Sequence, residues 1–413
     1  MKRRDFISAG SGLALTALSP IGRAALPCPP PLFSASGSNT PTSCTNTAPA
    51  WFNSMSDKTW ATPVSNTLDS VKPSANYGNH TAVCNAWTGG CVDQDRGELI
   101  LAANGGHGDY AGNEVYACSL RSASPAWSRI TNVTTANGGD DSMRSAMNYS
   151  DGLPRARHGY NRCVWGNGRV WYAGVDGVAD SGYWSLACYS FNRSSLAWTY
   201  HGIPSNNTTG SYSWEGGPAA YDKVGNKVWS AAQFGLQDGG YSVDATTGAL
   251  TKFNWVLSGN PFGYAWSVIA HDLRVWIVGS VNEARIWILN LDNTAAGWTQ
   301  LSTSGSPNGF TSGGGAVYHQ ASRAILVWHH SYGASLRKLA IPSSPLSGTY
   351  TWSTVNPAAG NSVTPPGALD ADFQGAFSKF NMIEDMGNGQ SALCFVGRTT
   401  GQTYAYKVPA SGV

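Results

Sequence analysis

Four side chains in this sequence are of the types needed to take a proton from carbon: His107, His158, Tyr160 and Arg157. A neutral imidazole or an ionised phenol can accept the proton, and a phenol or an imidazole can return one to a leaving oxygen. Where the carbon stands beside a carboxylate, an Arg or a metal ion must neutralise that carboxylate before the proton becomes acidic. His158 and Tyr160 are two residues apart, so an extended strand puts them on one face. Arg157 then points the other way unless a bulge re-aims it, or Arg155 takes its role. The ordinary alternative for His107, in a Gly-Gly-His-Gly turn, is a hydrogen bond that fixes a loop.

Positioning these groups falls to a repeated unit. A polar turn recurs at 93–98, 165–169, 222–227, 271–274, 320–323 and 385–390. An apolar strand follows each turn: Leu99-Ile100-Leu101, Val170-Trp171-Tyr172, Val228-Trp229-Ser230, Val275-Trp276-Ile277, Ile325-Leu326-Val327 and Ala392-Leu393-Cys394. Third strands come next, then fourth strands carrying Trp127, Trp198, Trp255, Trp298 and Trp352. The sixth repeat lacks its fourth strand, and Lys58-Thr59-Trp60-Ala61-Thr62-Pro63 near the start can supply it. Such a strand closes a ring and removes exposed sheet edges. The pattern predicts an all-β chain folded as a single β-propeller, with six blades closed by an N-terminal strand. Seven blades are the alternative count, although residues 131–152 are short for one.

Propeller geometry sorts the candidates. Loops leading into first strands, and those between second and third strands, open on one face; turns between first and second strands open on the other. His80, His107, His158, His329 and His330 fall on the first face. The same mouth is expected to receive Tyr110, Tyr160, Trp214, Glu215, Tyr264, Trp266, Phe310, Asp372 and Phe373. Of these, His80, Tyr110, Trp214, Tyr264 and Trp266 are the expected substrate-binding residues. No ligand spacing around the His329-His330 pair identifies a metal, so the cofactor stays unknown and a structural divalent ion stays open.

Residues 1–25 read as an export signal: Arg3-Arg4 before Asp5-Phe6-Ile7, a short apolar run, then Gly22-Arg23-Ala24 as a cleavage site. The expected division is a twin-arginine-type signal over 1–25, a Pro/Ser-rich leader over 26–57 and the propeller over 58–413, in the periplasm or outside the cell. Lys+Arg number 26 and Asp+Glu 24, so no basic stripe points to nucleic acid and no basic helix to a membrane surface. Eight cysteines in an exported chain can form disulfides, with Cys84–Cys91 and Cys28–Cys44 as the expected pairs. Oligomeric state is not legible.

Residues 104–116 (Asn-Gly-Gly-His-Gly-Asp-Tyr-Ala-Gly-Asn-Glu-Val-Tyr), Arg157-His158-Gly159-Tyr160-Asn161 and Gln402-Thr403-Tyr404-Ala405-Tyr406 resemble motifs of bacterial secreted kelch-like propellers. That group includes polysaccharide lyases of the ulvan-lyase type. The resemblance spans roughly residues 58–408. It implies a carbohydrate-active protein with a glycan as its partner, cleaving a uronic-acid-containing polymer by β-elimination. His107, His158, Tyr160 and Arg157 would then be its catalytic set. Two other readings are a non-catalytic glycan-binding propeller and a copper-radical oxidase of the galactose-oxidase type. The second rests on Tyr318-His319, which lies at the end of a first strand away from the mouth.

Overall fold

The computed structural model describes residues 47–105, 110–134, 148–174, 176–177, 187–202, 216–231, 239–255, 262, 264–279, 285–306, 313–365 and 375–413. The chain divides into residues 1–41 and residues 42–413, and every described residue lies in the second unit. The expected export signal, Cys28, Cys44, His107, Trp214, Glu215, Phe310, Asp372 and Phe373 lie outside the described residues.

The architecture is all-β with a few short helical turns, and it is propeller-like. Four antiparallel sheets have four strands each. The first is Cys91–Asp93, Glu98–Ala102, Val115–Ser119 and Trp127–Arg129. The second is Cys163–Gly166, Arg169–Ala173, Cys188–Asn192 and Ala197–Gly202. The third is Ala219–Asp222, Lys227–Ala231, Gly240–Asp244 and Leu250–Phe253. The last is Asn381–Ile383, Ala392–Val396, Thr403–Lys407 and the early strand Trp60–Ala61.

Residues 266–304 and 315–355 form two further four-stranded meanders, but they are joined into one eight-stranded sheet. This departs from the expected set of separate blades. The outer strand Trp298–Ser304 is seven residues long, and its last two residues pair in parallel with Tyr350 and Thr351. The first strands nevertheless neighbour one another in a closed circuit. Cys91–Asp93 lies beside Cys163–Gly166, then come Ala219–Asp222, Trp266–Ala270, Gly315–His319 and Asn381–Ile383, which returns to Cys91–Asp93.

Local chemistry explains the repeat. Second strands are buried along almost their whole length, as in Val275–Gly279, Ala324–Trp328 and Ala392–Val396, because a sheet packs on each of their faces. Outer strands such as Trp298–Ser304 mix half-buried and exposed residues, since they border solvent. The turns between first and second strands reuse one device. Asp93 Oδ1 accepts from the Asp95 and Arg96 amides, Asp222 Oδ1 from Val224, and Asp385 Oδ1 from Gly387 and Gly389. The second sheet uses Asn167-Gly168 instead, with φ of 51° and 71°, the signature of a type I′ hairpin.

The early strand does close the last sheet: Trp60 pairs with Tyr406 and Ala61 with Ala405. Trp60 is buried, its indole donates to the Ala334 carbonyl at 2.8 Å, and its ring packs on Tyr406 and Trp328.

The expected Cys84–Cys91 disulfide is absent; both are free thiols, as are Cys118, Cys163, Cys188 and Cys394. The reason is that the two face different cores. Cys84 packs with Phe52, Leu99 and Ile383, whereas Cys91 packs with Cys163, Tyr172 and Phe191. Alkylation of the denatured, unreduced protein, read by peptide mass, should therefore label both Cys84 and Cys91. Recovery of the linked pair would contradict this packing.

Candidate functional site

A residue with left-handed backbone precedes each first strand: Trp87 (φ 48°), Tyr160 (44°), Gly216 (65°), Tyr264 (52°), Gly313 (94°) and Phe377 (43°). Left-handed φ is uncommon for bulky residues and costs energy that the surroundings must supply. Here it brings Tyr160 onto Tyr264 and Phe377, and Trp87 onto His158. Tyr160 sits 5.6 Å from Tyr264 and 5.4 Å from Phe377, ring centre to ring centre, and His158 lies 5.7 Å from Tyr160 and 5.2 Å from Trp87.

His158 and Tyr160 are thus brought together, by a left-handed turn at Tyr160 and not by an extended strand, as part of a packed aromatic cluster in which Tyr160 is 1% exposed. Arg157 is turned away from them and stacks on Tyr189 at 4.6 Å while donating to its hydroxyl. Tyr264 joins the cluster. Trp266 does not: it packs with Ile277, Ile286 and Trp352 in the core of the eight-stranded sheet. His329 is fully buried and its Nδ1 is engaged by Ser331.

Beside the cluster, Lys379 is fully buried, with its amine 2.7 Å from the Thr88 carbonyl, 3.0 Å from the Gly375 carbonyl and 3.2 Å from the Thr88 hydroxyl. Burial pulls the amine down to about 7. A neutral amine still suits these partners, donating to the two carbonyls and accepting from the hydroxyl. Its folded value lies below its unfolded value, so between the two the unfolded chain binds the extra proton. Stability should therefore rise as pH climbs from about 7 towards the ordinary lysine value of roughly 10.4, and this gain is absent below about 7. Calorimetry should show the melting temperature rising over that window in wild type and a flatter profile in Lys379→Met; equal slopes would refute the assignment.

The other two described substrate-binding candidates, His80 and Tyr110, meet in a different place, with rings 5.5 Å apart. They line a cleft of about 360 Å³ with Asp69, Lys72, Tyr77 and Asn79. Behind the cleft runs a hydrogen-bonded chain. Asp69 Oδ1 is 3.1 Å from His80 Nδ1, His80 Nε2 is 2.9 Å from the Tyr116 hydroxyl, and Glu114 Oε1 is 2.6 Å from the hydroxyls of both Tyr116 and Tyr110. Lys72 reaches both Asp69 oxygens at 3.1 Å. The glycines of this motif make room: a Cβ on Gly112 would stand 2.4 Å from both the Tyr110 ring and Glu114 Oε2.

Counting protons defines the state of the chain. Each of the four links needs one proton, and the two phenols supply two. With Asp69 ionised, the other two come either both from His80 as imidazolium, or one from His80 and one from Glu114 as an acid. Burial pulls His80 down, against the opposing pull of Asp69. Burial also pushes Glu114 up, against the hydrogen bonds from Tyr110 and Tyr116. Glu114 Oε2 is buried without a hydrogen-bond partner among the described residues, a placement far cheaper for an acid than for a carboxylate. Burial thus pushes both His80 and Glu114 towards their neutral forms. As an acid, Glu114 would pass the hydrogen bonds one way from Tyr110 to Asp69; as a carboxylate, it accepts from both phenols. Asp69 itself feels burial that would raise it, outweighed by the Lys72 and His80 contacts, so it stays ionised.

No protein-family model matches the chain, and no curated protein matches it. Among solved structures, similar folds include three at low identity. An α-L-arabinanase of Penicillium chrysogenum, solved with arabinobiose, is 12% identical over 87% of this chain and 100% of that one, with a TM-score of 0.44. An auxiliary nutrient-binding protein of Bacteroides ovatus is 11% identical over 85% and 76%, at 0.47. The major allergen Mala s 1 of Malassezia sympodialis is 11% identical over 80% and 96%, at 0.46.

Sequence reasoning names His80 and Tyr110 but misses Glu114, Tyr116 and Asp69. A signal for two of them was present: Glu114 and Tyr116 stand two apart at the start of a strand and so share a face. Asp69 carries no such signal, because it reaches His80 from a short 3₁₀ turn (Leu68–Val71).

Proposed function

We propose that the protein is an exported six-bladed propeller that cleaves a uronic-acid-containing glycan by β-elimination in the cleft between residues 69–81 and Tyr110. The observation that carries this reading is the hydrogen-bonded chain of five groups that joins Tyr110, a residue lining the cleft, to Asp69. The closed circuit of six first strands supports the blade count, and the kelch-like motif at 104–116 supports the class of substrate. The motif's Tyr110, Glu114 and Tyr116 are three of the five groups in the chain.

The chemistry runs on those residues. Lys72 gives up Asp69 for the substrate carboxylate, at little cost for a pair 50% and 30% exposed. In the reacting form Glu114 is the carboxylate that accepts from both phenols, and His80 is the imidazolium against Asp69. Tyr110 then takes the proton of the carbon beside the substrate carboxylate as its own phenolic proton passes to Glu114. The electron pair of that C–H bond forms the new double bond, and the neighbouring C–O bond breaks. Tyr110 protonates the departing oxygen, Glu114 returns its proton to Tyr110, and the chain is restored. No free phenolate is required, which suits a tyrosine that burial and Glu114 hold firmly protonated.

The test is ultraviolet detection of unsaturated products from a panel of uronic-acid polysaccharides. Absorbing products from at least one support the reading. Tight binding without product on every polymer would leave a glycan-binding propeller instead.

A further inference from the structure

We propose that the axial cavity on the opposite face is a second binding site, for a short neutral saccharide. The cavity is about 460 Å³, within the roughly 300–1,000 Å³ of small-molecule sites. It is lined by the first strands of all the meanders and opens among the turns that follow them, at Asp95, Lys223, His271 and Glu384. The cleft at His80 is built instead from the segment before a first strand and the loop at Tyr110. The two sites share no lining residue.

The lining has the two features that sugar recognition needs. Trp165, Tyr221 and Tyr318 are half-buried and give flat apolar faces for the C–H side of a sugar ring. Around them stand polar groups free to exchange partners. Lys223 and Glu384 come from turns of different sheets and form a 3.4 Å pair, 46% and 50% exposed. An ion pair this exposed contributes little, so trading it for hydroxyls, with Lys223 donating and Glu384 accepting, costs little. His271 Nδ1 is buried without a hydrogen-bond partner among the described residues, and the Tyr318 hydroxyl is held by Asp272 at 2.8 Å. Burial draws His271 down to about 4, so the imidazole lining the cavity is neutral.

Charge sets the class. Glu384 and Asp95 stand on this rim against Lys223, with Asp272 behind Tyr318, so an acidic sugar meets a surplus of carboxylates. A neutral mono- or disaccharide does not.

Calorimetric titration of the full chain with glucose, galactose, mannose, xylose, arabinose and their disaccharides tests this, with galacturonate for comparison. At least one neutral sugar should bind saturably and more tightly than galacturonate. Trp165→Ala, which also loses packing against the Cys163 and Tyr172 core and so melts lower, should weaken it about tenfold, the share of one ring contact, and Glu384→Gln should weaken it with unchanged melting. Tyr110→Phe, in the other cleft, should leave the affinity unchanged. The proposal fails if no neutral sugar binds, if Trp165→Ala binds as wild type does, or if Tyr110→Phe is the variant that loses binding.

Discussion

Tyr110→Phe should lower turnover on the acidic glycan by roughly two to four orders of magnitude, the usual share of general acid–base catalysis. The variant keeps the ring that packs beside His80 and loses only the buried hydroxyl bonded to Glu114. Because turnover fails at the proton step, kcat should fall while KM moves little. Glu114→Gln should have a similar effect for a different reason. The amide still hydrogen-bonds to Tyr110 and Tyr116 but cannot receive a proton, so the phenol has nowhere to pass its own. A purely structural Glu114 predicts the opposite: near-normal kcat in a folded Glu114→Gln, with loss only in a destabilised Glu114→Ala. Melting curves of all three variants separate the two accounts. Lys72→Met should raise KM and lower kcat as well, since Lys72 both holds the substrate carboxylate and neutralises it for proton removal.

Removal of residues 47–65 should leave the protein without a cooperative melting transition. The last sheet would lose its outer strand, and the edge of Thr403–Lys407 would lie open. The loss extends beyond the strand. Phe52 packs with Leu68, Leu99 and Ile383, and the Lys407 amine donates to the Met55 carbonyl at 2.9 Å. The milder Trp60→Ala should cost roughly 3–5 kcal/mol, the range for emptying a large buried aromatic site. It also leaves the Ala334 carbonyl without its indole donor. Urea titration of Trp60→Ala and calorimetry of the truncated chain measure these effects. A truncated chain that melts as the intact one does would mean that the ring is closed in some other way.

Much of the ring is readable in the sequence because its repeats obey strict local rules. Asp93, Asp222 and Asp385 cap equivalent turns, Asn167-Gly168 enforces a hairpin, and the apolar second strands are continuous because they are buried on both faces. Joining of the two meanders at Thr303–Ser304 is not readable, since it depends on how far one outer strand runs beside its neighbour. The site is legible only in part. Two-residue spacing pairs His158 with Tyr160, but periodicity cannot reveal that a left-handed turn at Tyr160 packs its ring among Tyr264 and Phe377. His80 and Tyr110 are identifiable by type and face, yet their link through Tyr116 and Glu114 depends on burial and on distances near 2.6–2.9 Å that no spacing encodes. The Cys84–Cys91 expectation failed on the same ground, because closeness in sequence does not keep the two thiols in one core.

The chemistry assigned to the Tyr110 cleft is tested most directly by digesting the acidic glycan in oxygen-labelled water and weighing the fragments. Elimination takes no atom from solvent water. The account predicts fragments lighter than hydrolysis products by one water, carrying an unsaturated terminal residue and no label, at a rate that collapses in Tyr110→Phe. Labelled, saturated fragments, or undiminished cleavage by a folded Tyr110→Phe, would contradict it.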